Sequence, residues 1–278
     1  MIYKNQDCAL NTLHSKSEAV SPAFLSELGI RILEQKGDTD QLGTFSGEIE
    51  RPGTLFEVLK QKCEMGMEMS GLHLGLASEG SFRPHPQVPF LACDYESLIF
   101  MDKERKFFLY ETLISENTNY QSKTIHHPDE FLSILESMRF PSHAVILRPL
   151  EWLDKSIVFK GIQTVEEFQK AFQICQKASL SQRVRVDTDM RAHMNPTRMA
   201  LIKQLAKKLA LRLTTGCPSC NMPGWGKVGV EKGLECRACE LPTENIRQDI
   251  WGCVTCSFKE YVDREGKVDP ENCLYCNP

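Results

Sequence analysis

The chain has 278 residues, 41% of them hydrophobic, with 33 basic against 37 acidic side chains and a formal net charge of −4 at pH 7. That is enough apolar material for a substantial core in one or two domains, and it argues against a globally basic nucleic-acid binder. No apolar run approaches the ~20 residues a spanning helix needs, and "MIYKNQDCALNTLHSK" lacks the basic start, apolar middle and cleavage site of a secretory signal, so a cytoplasmic protein with no membrane partner is expected.

In chain order, "DCALNTL" reads as a strand and "SEAVSPAFLSELG" as a helix that Gly29 closes. "IRILEQ" is a second short strand, followed by the acidic loop "GDTDQLGTFSGEIER". "TLFEVLKQKCEMGMEM" has helical apolar spacing with Thr54 as its N-cap. "LHLGLAS" is a buried-type strand running into "EGSFRPHPQVPF", a Gly- and Pro-dense loop. "YESLIFMD" and "FFLYETLIS" form a hairpin across the charged turn "KERK".

"PDEFLSILESM" reads as a helix, "HAVILRP" as a strand, "TVEEFQKAFQICQKA" as a helix and "RVRVD" as a strand. The last of these delivers a second Asp-Thr-Asp tripeptide in "VDTDMRAHMNPTRM". The closing helix starts at Pro196 with Asn195 as N-cap, and its stripe is Met199, Ile202, Leu205, Ala206, Leu209 and Leu213. Strands alternating with helices plus one hairpin give an α/β fold, a mixed sheet flanked by helices, over residues 1–213.

Residues 214–278 differ in kind. Eight of the twelve cysteines fall here as four Cys-x-x-Cys pairs: Cys217/Cys220, Cys236/Cys239, Cys253/Cys256 and Cys273/Cys276. The gaps of 15, 13 and 16 residues suit short hairpins, and two such knuckles complete a tetrahedral Cys₄ zinc site. A small zinc-ribbon-like domain with two structural Zn²⁺ is expected. Sequential pairing needs the least chain closure, while a cross-braced arrangement, first knuckle with third, stays open. The segment carries seven Lys/Arg against ten Asp/Glu, which argues against non-specific nucleic-acid binding. Trp225 and Trp251 are expected to serve as its small core, with a protein or RNA contact as the alternative.

Three polar loops follow apparent strands, at 37–51, 79–94 and 187–198, and strand ends are where open α/β sheets bind ligands. Brought together, they would offer Asp38, Asp40, Glu48, Glu79, Asp187, Asp189 and His193 for catalysis. They would also offer Arg51, His85, Arg191, Asn195 and Arg198 for substrate. Clustered carboxylates need a cation such as Mg²⁺ or Mn²⁺, and arginine grips phosphate bidentately. The expectation is a metal-assisted hydrolase of a phosphorylated small molecule or nucleotide. The alternative is a non-enzymatic adaptor using its zinc part for protein or RNA contact. Neither the P-loop nor the dinucleotide fingerprint is present.

The blocks "DTDQLGTFSGEIER", "LASEGSFRPHP", "DTDMRAHMNPTRM" and "CPSC…PGWG", in that order, resemble a family of uncharacterised bacterial proteins over nearly the whole chain. The resemblance implies an α/β domain with C-terminal zinc knuckles and no established activity. The family pattern leads to an opening Ala-Thr-x-His-Gly-Lys-Glu, whereas this chain has "ALNTLHSKSEA", with Ser15 in place of the glycine. A looser similarity to house-cleaning nucleoside-triphosphate pyrophosphatases implies Lys16 for phosphate and Glu48 or Glu50 with Glu79 for Mg²⁺.

Overall fold

A computed structural model describes residues 2–43, 49, 52–151 and 153–278. The chain opens β1 (Asp7–Asn11), α1 (Ser17–Leu28), β2 (Arg31–Gln35), α2 (Leu55–Ser70), β3 (Leu74–Pro84), β4 (Ala92–Asp102) and β5 (Phe107–Ser115). These five strands form one mixed sheet in the order β2-β1-β3-β4-β5. β1 is parallel to both β2 and β3, and β3, β4 and β5 pair antiparallel.

Local chemistry sets the helix limits. Gly29 closes α1 in the left-handed region at φ 70°, and Thr54 with Glu57 forms a reciprocal capping box at the start of α2. Strand alternation then decides which helix covers which face. Leu74 and Leu76 meet Phe24, Ile202, Leu205 and Leu209 on one side, while Ala77 and Ile99 meet Leu59, Cys63 and Met67 of α2 on the other. Gly75 lets α2 approach closely, since a Cβ there would lie 2.5 Å from Met67.

The middle of the chain forms a second sheet. It comprises β6 (Ser122–Ile125), α3 (Leu135–Met138), β7 (Val145–Pro149), β8 (Phe159–Ile162), α4 (Val165–Ala178) and β9 (Val184–Thr188). Its strand order is β6-β9-β7-β8, antiparallel throughout. Phe131, Phe168 and Phe172 bury one face of it against Val145, Leu147, Val184 and Val186. β6 and β8 carry no clear apolar alternation, so sequence periodicity passed over them. α5 (Pro196–Thr214) then returns to the first sheet and packs beside α1. Its cap is Asn195, whose Oδ1 accepts from Arg198 N at 3.0 Å.

Two elements depart from expectation. The helix expected over 128–138 is a 3₁₀ turn, Pro128–Ser133, followed by the four-residue α3. The segment from Glu79 to Asp94 is mostly ladder, because β3 and β4 pair continuously from Leu74↔Asp102 to Pro84↔Ala92. Only the turn at 85–91 is loop. The long partner β4 extends β3 beyond what its own Gly and Pro content suggested.

The C-terminal part holds β10 (Gly226–Lys232), β11 (Ile246–Gly252) and β12 (Lys259–Asp263) as a three-stranded antiparallel sheet. It docks on the end of α5. Arg212 Nε donates to Gly224 O at 3.1 Å, and Met222 and Val254 pack against the main core.

Candidate functional site

In the first sheet β1 lies between β2 and β3, so the chain leaves β1 toward one neighbour and returns, through α2, on the other side. Such a switch point opens a crevice beyond the strand ends. The crevice is present here. β1 pairs with β3 no further than Leu10↔Leu76, and β3 continues with β4 alone beside it, so Ser78 and Glu79 face the gap. Asn11, Thr12, His14 and Lys16 line it from the β1–α1 turn, with Thr39 and Gly43 from the loop after β2. The opposite wall is Ile146 of β7, Lys160 of β8 and Arg191 just past β9, enclosing about 90 Å³.

Asn11 stitches the floor together, its Oδ1 accepting from Gly37 N at 3.0 Å and its Nδ2 donating to Lys62 O at 3.3 Å. Lys62 of α2 donates to Glu79 Oε2 at 2.6 Å. Burial pushes the Glu79 carboxyl up, yet Lys62 and then Lys16 outweigh it and hold the group below its ordinary range. Asp189 is wholly buried and does two tasks. It takes a bidentate grip from Arg191, with Nη2 at 2.6 Å, and accepts from Gly161 N at 3.0 Å. Asp189 is therefore the residue that aims Arg191.

Lys16 is only 5% exposed, and its Nζ donates to Ser78 O at 3.0 Å. Burial first and then the Arg198 charge pull this ammonium down to about 8, against the opposite pull of Glu96 and Glu79. His14 stacks on His193 with ring centroids 5.1 Å apart. Burial, followed by Lys16 and His193, pulls the His14 imidazole down to about 3, so it is neutral at ordinary pH. Two polar atoms at the cleft are buried with no hydrogen-bond partner among the described residues, Ser78 Oγ and His14 Nδ1. Buried polar atoms are ordinarily satisfied, so these two are places a ligand or water would fill.

Behind the cleft, Arg198 of α5 is 1% exposed and binds Glu96 of β4 through Nε and the carbonyl of Met190 through Nη1. Gly80 makes room for this pair, since a Cβ there would meet Arg198 Nη2 at 2.2 Å. Asp94 lies two residues before Glu96 on the same strand face. Burial and then the Glu96 charge push its carboxyl up to about 8, against the pull of Arg198.

The residues expected from sequence thus divide. Lys16, Glu79, Arg191 and His193 come together, with Asp189 beneath Arg191. Arg198 is a buried ion-pair partner, and Asn195 is committed to its cap and to Asn119 Oδ1 at 2.9 Å. Asp187 points to the open face of the second sheet, where Arg185 and Arg148 hold it, because the alternation of β9 turns it away from Val186. His85 lies in the β3–β4 turn, 3.8 Å from Glu116. Asp38 is exposed. Glu48, Glu50, Arg51 and the side chain of Asp40 lie outside the described residues. Among the described residues, no three acidic or histidine side chains gather as a metal group at the cleft. Lys62, Lys160 and Ser78 were missed: each reads as an ordinary helix or strand residue, and only packing brings it to the gap.

The eight C-terminal cysteines form two groups that could hold zinc ions. Cys217 and Cys220 join Cys253 and Cys256, while Cys236 and Cys239 join Cys273 and Cys276. The simpler sequential pairing is therefore not the one adopted. The module is cross-braced, first knuckle with third and second with fourth. The three-stranded sheet explains this, since β10 follows the first knuckle, β11 precedes the third, and their pairing brings those knuckles side by side. Sγ–Sγ distances of 3.6–3.8 Å recur in both groups, close to the ~3.8 Å set by four tetrahedral bonds of ~2.3 Å. Backbone N–H groups of Ser219, Ala238 and Thr255 donate to sulfur in the first three knuckles, as thiolate ligands require. Trp225 packs on Phe258 in this small core, while Trp251, expected to share it, is exposed on β11.

An α/β body with a cationic switch-point cleft and a cross-braced double-Cys₄ module defines the structural class. The chain belongs to the family described as a domain of unknown function, DUF6671, whose model matches residues 62–278. No curated protein and no solved structure matches the chain. No helix among the described residues is long and apolar enough to cross a membrane.

Proposed function

We propose that the chain binds a phosphorylated small molecule, such as a nucleotide or sugar phosphate, in the cleft between its two sheets. The observation that carries this reading is charge. Lys16, Lys62, Lys160 and Arg191 line the gap against one carboxylate among the described residues, Glu79. The α1 N-terminus, where Lys16 occupies the cap position, adds the positive end of its helix dipole to them. Guanidinium and ammonium groups with their own buried counter-ions are held in place before a ligand arrives, which lowers the ordering cost of binding.

Hydrolysis assisted by Mg²⁺ or Mn²⁺ is the secondary form of this reading. Glu79 is its described carboxylate, and a cation there would have to displace Lys62. Anion binding is therefore placed ahead of metal-assisted chemistry. The cysteine groups serve as two structural Zn²⁺ centres, since closed Cys₄ sets leave no open coordination position for a reaction. Thermal-shift titration with inorganic phosphate, nucleotides and sugar phosphates, with and without Mg²⁺, tests the reading. A rise with phosphate ligands that Arg191→Met and Lys62→Met both abolish is expected, and a flat response across the panel defeats it.

The adaptor reading has one observation in its favour. Leu274 and Tyr275, inside the last knuckle, are 69% and 65% exposed. A protein partner on that tip would be lost with Leu274→Ser/Tyr275→Ser while phosphate binding stayed intact.

A further inference from the structure

Lys16 differs from the other cations of the cleft whose partners are seen. Lys62 has the Glu79 carboxylate and Arg191 has Asp189, whereas among the described residues Lys16 Nζ meets only the carbonyl oxygen of Ser78. Among the described residues no carboxylate lies within ion-pair distance of it. Its surroundings work against the charged form from several elements: Arg198 on α5 and Lys62 on α2 are cationic, and Glu79 on β3 and Glu96 on β4 are already paired with them. An ammonium placed in this way is costly to bury, while a neutral amine is not. A desolvated lysine beside other cations is also the usual form of an amine nucleophile.

We propose that Lys16 is a covalent catalytic residue that forms an imine with the carbonyl carbon of a phosphorylated aldehyde or ketone. The proposal rests on the cleft reading and deepens it. Lys62, Lys160 and Arg191 hold the phosphate, and the carbonyl group reaches the buried amine. The amine nitrogen attacks the carbonyl carbon, and the π pair moves to oxygen, which takes up a proton. The nitrogen gives up a proton, and the carbinolamine then loses water to leave a C=N bond. No oxidant or metal is consumed: one carbonyl and one amine become one imine and one water. His14 lines the same cleft as a neutral imidazole whose Nδ1 has no hydrogen-bond partner among the described residues, so it can relay the proton. The lowered Lys16 ammonium is consistent with this role. With its midpoint near 8 against 10.5 for an ordinary lysine, the free amine is enriched roughly two orders of magnitude at pH 7.

The test is borohydride trapping on the wild-type chain with dihydroxyacetone phosphate, followed by peptide mass mapping. A reduced adduct concentrated on Lys16, suppressed by inorganic phosphate and absent in Lys16→Arg, is the expected result. Its yield should climb with a midpoint near pH 8. If inorganic phosphate raises the melting temperature but the label is absent or spread evenly over surface lysines, the covalent role is overturned and phosphate binding survives. If neither thermal shift nor adduct appears, the cleft reading fails along with it. Because the adduct is mapped on the unaltered protein, a variant that folds poorly does not obscure the answer.

Discussion

The body and the C-terminal module are built on opposite principles. The body buries three apolar clusters and then places charged groups, Lys16, Glu79, Glu96, Asp189 and Arg198, among them. The module buries almost nothing apolar beyond Trp225, Val268 and three of its cysteines, and β12 is exposed along its whole length. A unit of that size cannot hold itself by hydrophobic burial alone. In one region buried charge depends on an existing core. In the other, the paired thiolate clusters take the place of a core.

The sharpest way to break that contrast is at the cysteines. A Cys217→Ser/Cys253→Ser pair should remove one zinc and leave the other, whereas Cys217→Ser/Cys236→Ser should remove both. Sequential pairing would give the reverse, so metal content per chain decides the brace. Structural zinc contributes on the order of 10 kcal/mol in small modules, so amide protection across β10–β12 should collapse in the double-loss variant while α1 and α5 stay protected.

Next in size is the buried pair behind the cleft. Arg198→Met leaves Glu96 charged and alone at zero exposure, and should cost about 3–5 kcal/mol by denaturant unfolding. Gly80→Ala should reproduce part of that loss by displacing the guanidinium.

The pH dependence of stability follows from Asp94. Its folded-state value of about 8 lies above its ordinary 3.8, so the folded chain holds a proton the unfolded chain has released. Its contribution is complete below pH ~4 and is lost as pH rises through about 8. Asp94→Asn should flatten the decline of the melting temperature between those limits; an unchanged slope would remove Asp94 as its source.

Smaller effects lie at the backbone. Asn195→Ala removes the α5 cap and the bond to Asn119, and about 1–2 kcal/mol is expected in equilibrium unfolding. Ser15 sits at φ 51°, a left-handed conformation that glycine adopts freely. Ser15→Gly should add up to about 1 kcal/mol. That turn also explains the glycine in the family pattern as a backbone requirement rather than a ligand contact. A melting temperature that falls in Ser15→Gly would reverse that explanation.

Much of the fold could be read directly. Periodicity and caps placed α1, α2, α4 and α5, and Cys-x-x-Cys spacing identified all eight thiolates, because these signals are local. The body's second sheet was less legible, since β6 and β8 are short edge strands with little alternation. The site was legible only in part. Lys16 entered through a likeness to other proteins, Glu79 and Arg191 through the density of polar residues around them, and Lys62, Lys160 and Ser78 through nothing at all.

The sequence by itself determined the four long helices with their limits and the thiolate ligands, since each depends on residues a few positions apart. Only the tertiary structure decided which knuckles share a metal group, which carboxylates are already spent on arginines, and which lysine is buried with no acid beside it among the described residues. Those outcomes depend on strand pairing and on which face of a strand meets which helix. Pairings across 17 to 102 residues, such as Lys62 with Glu79 and Glu96 with Arg198, leave no mark on local pattern.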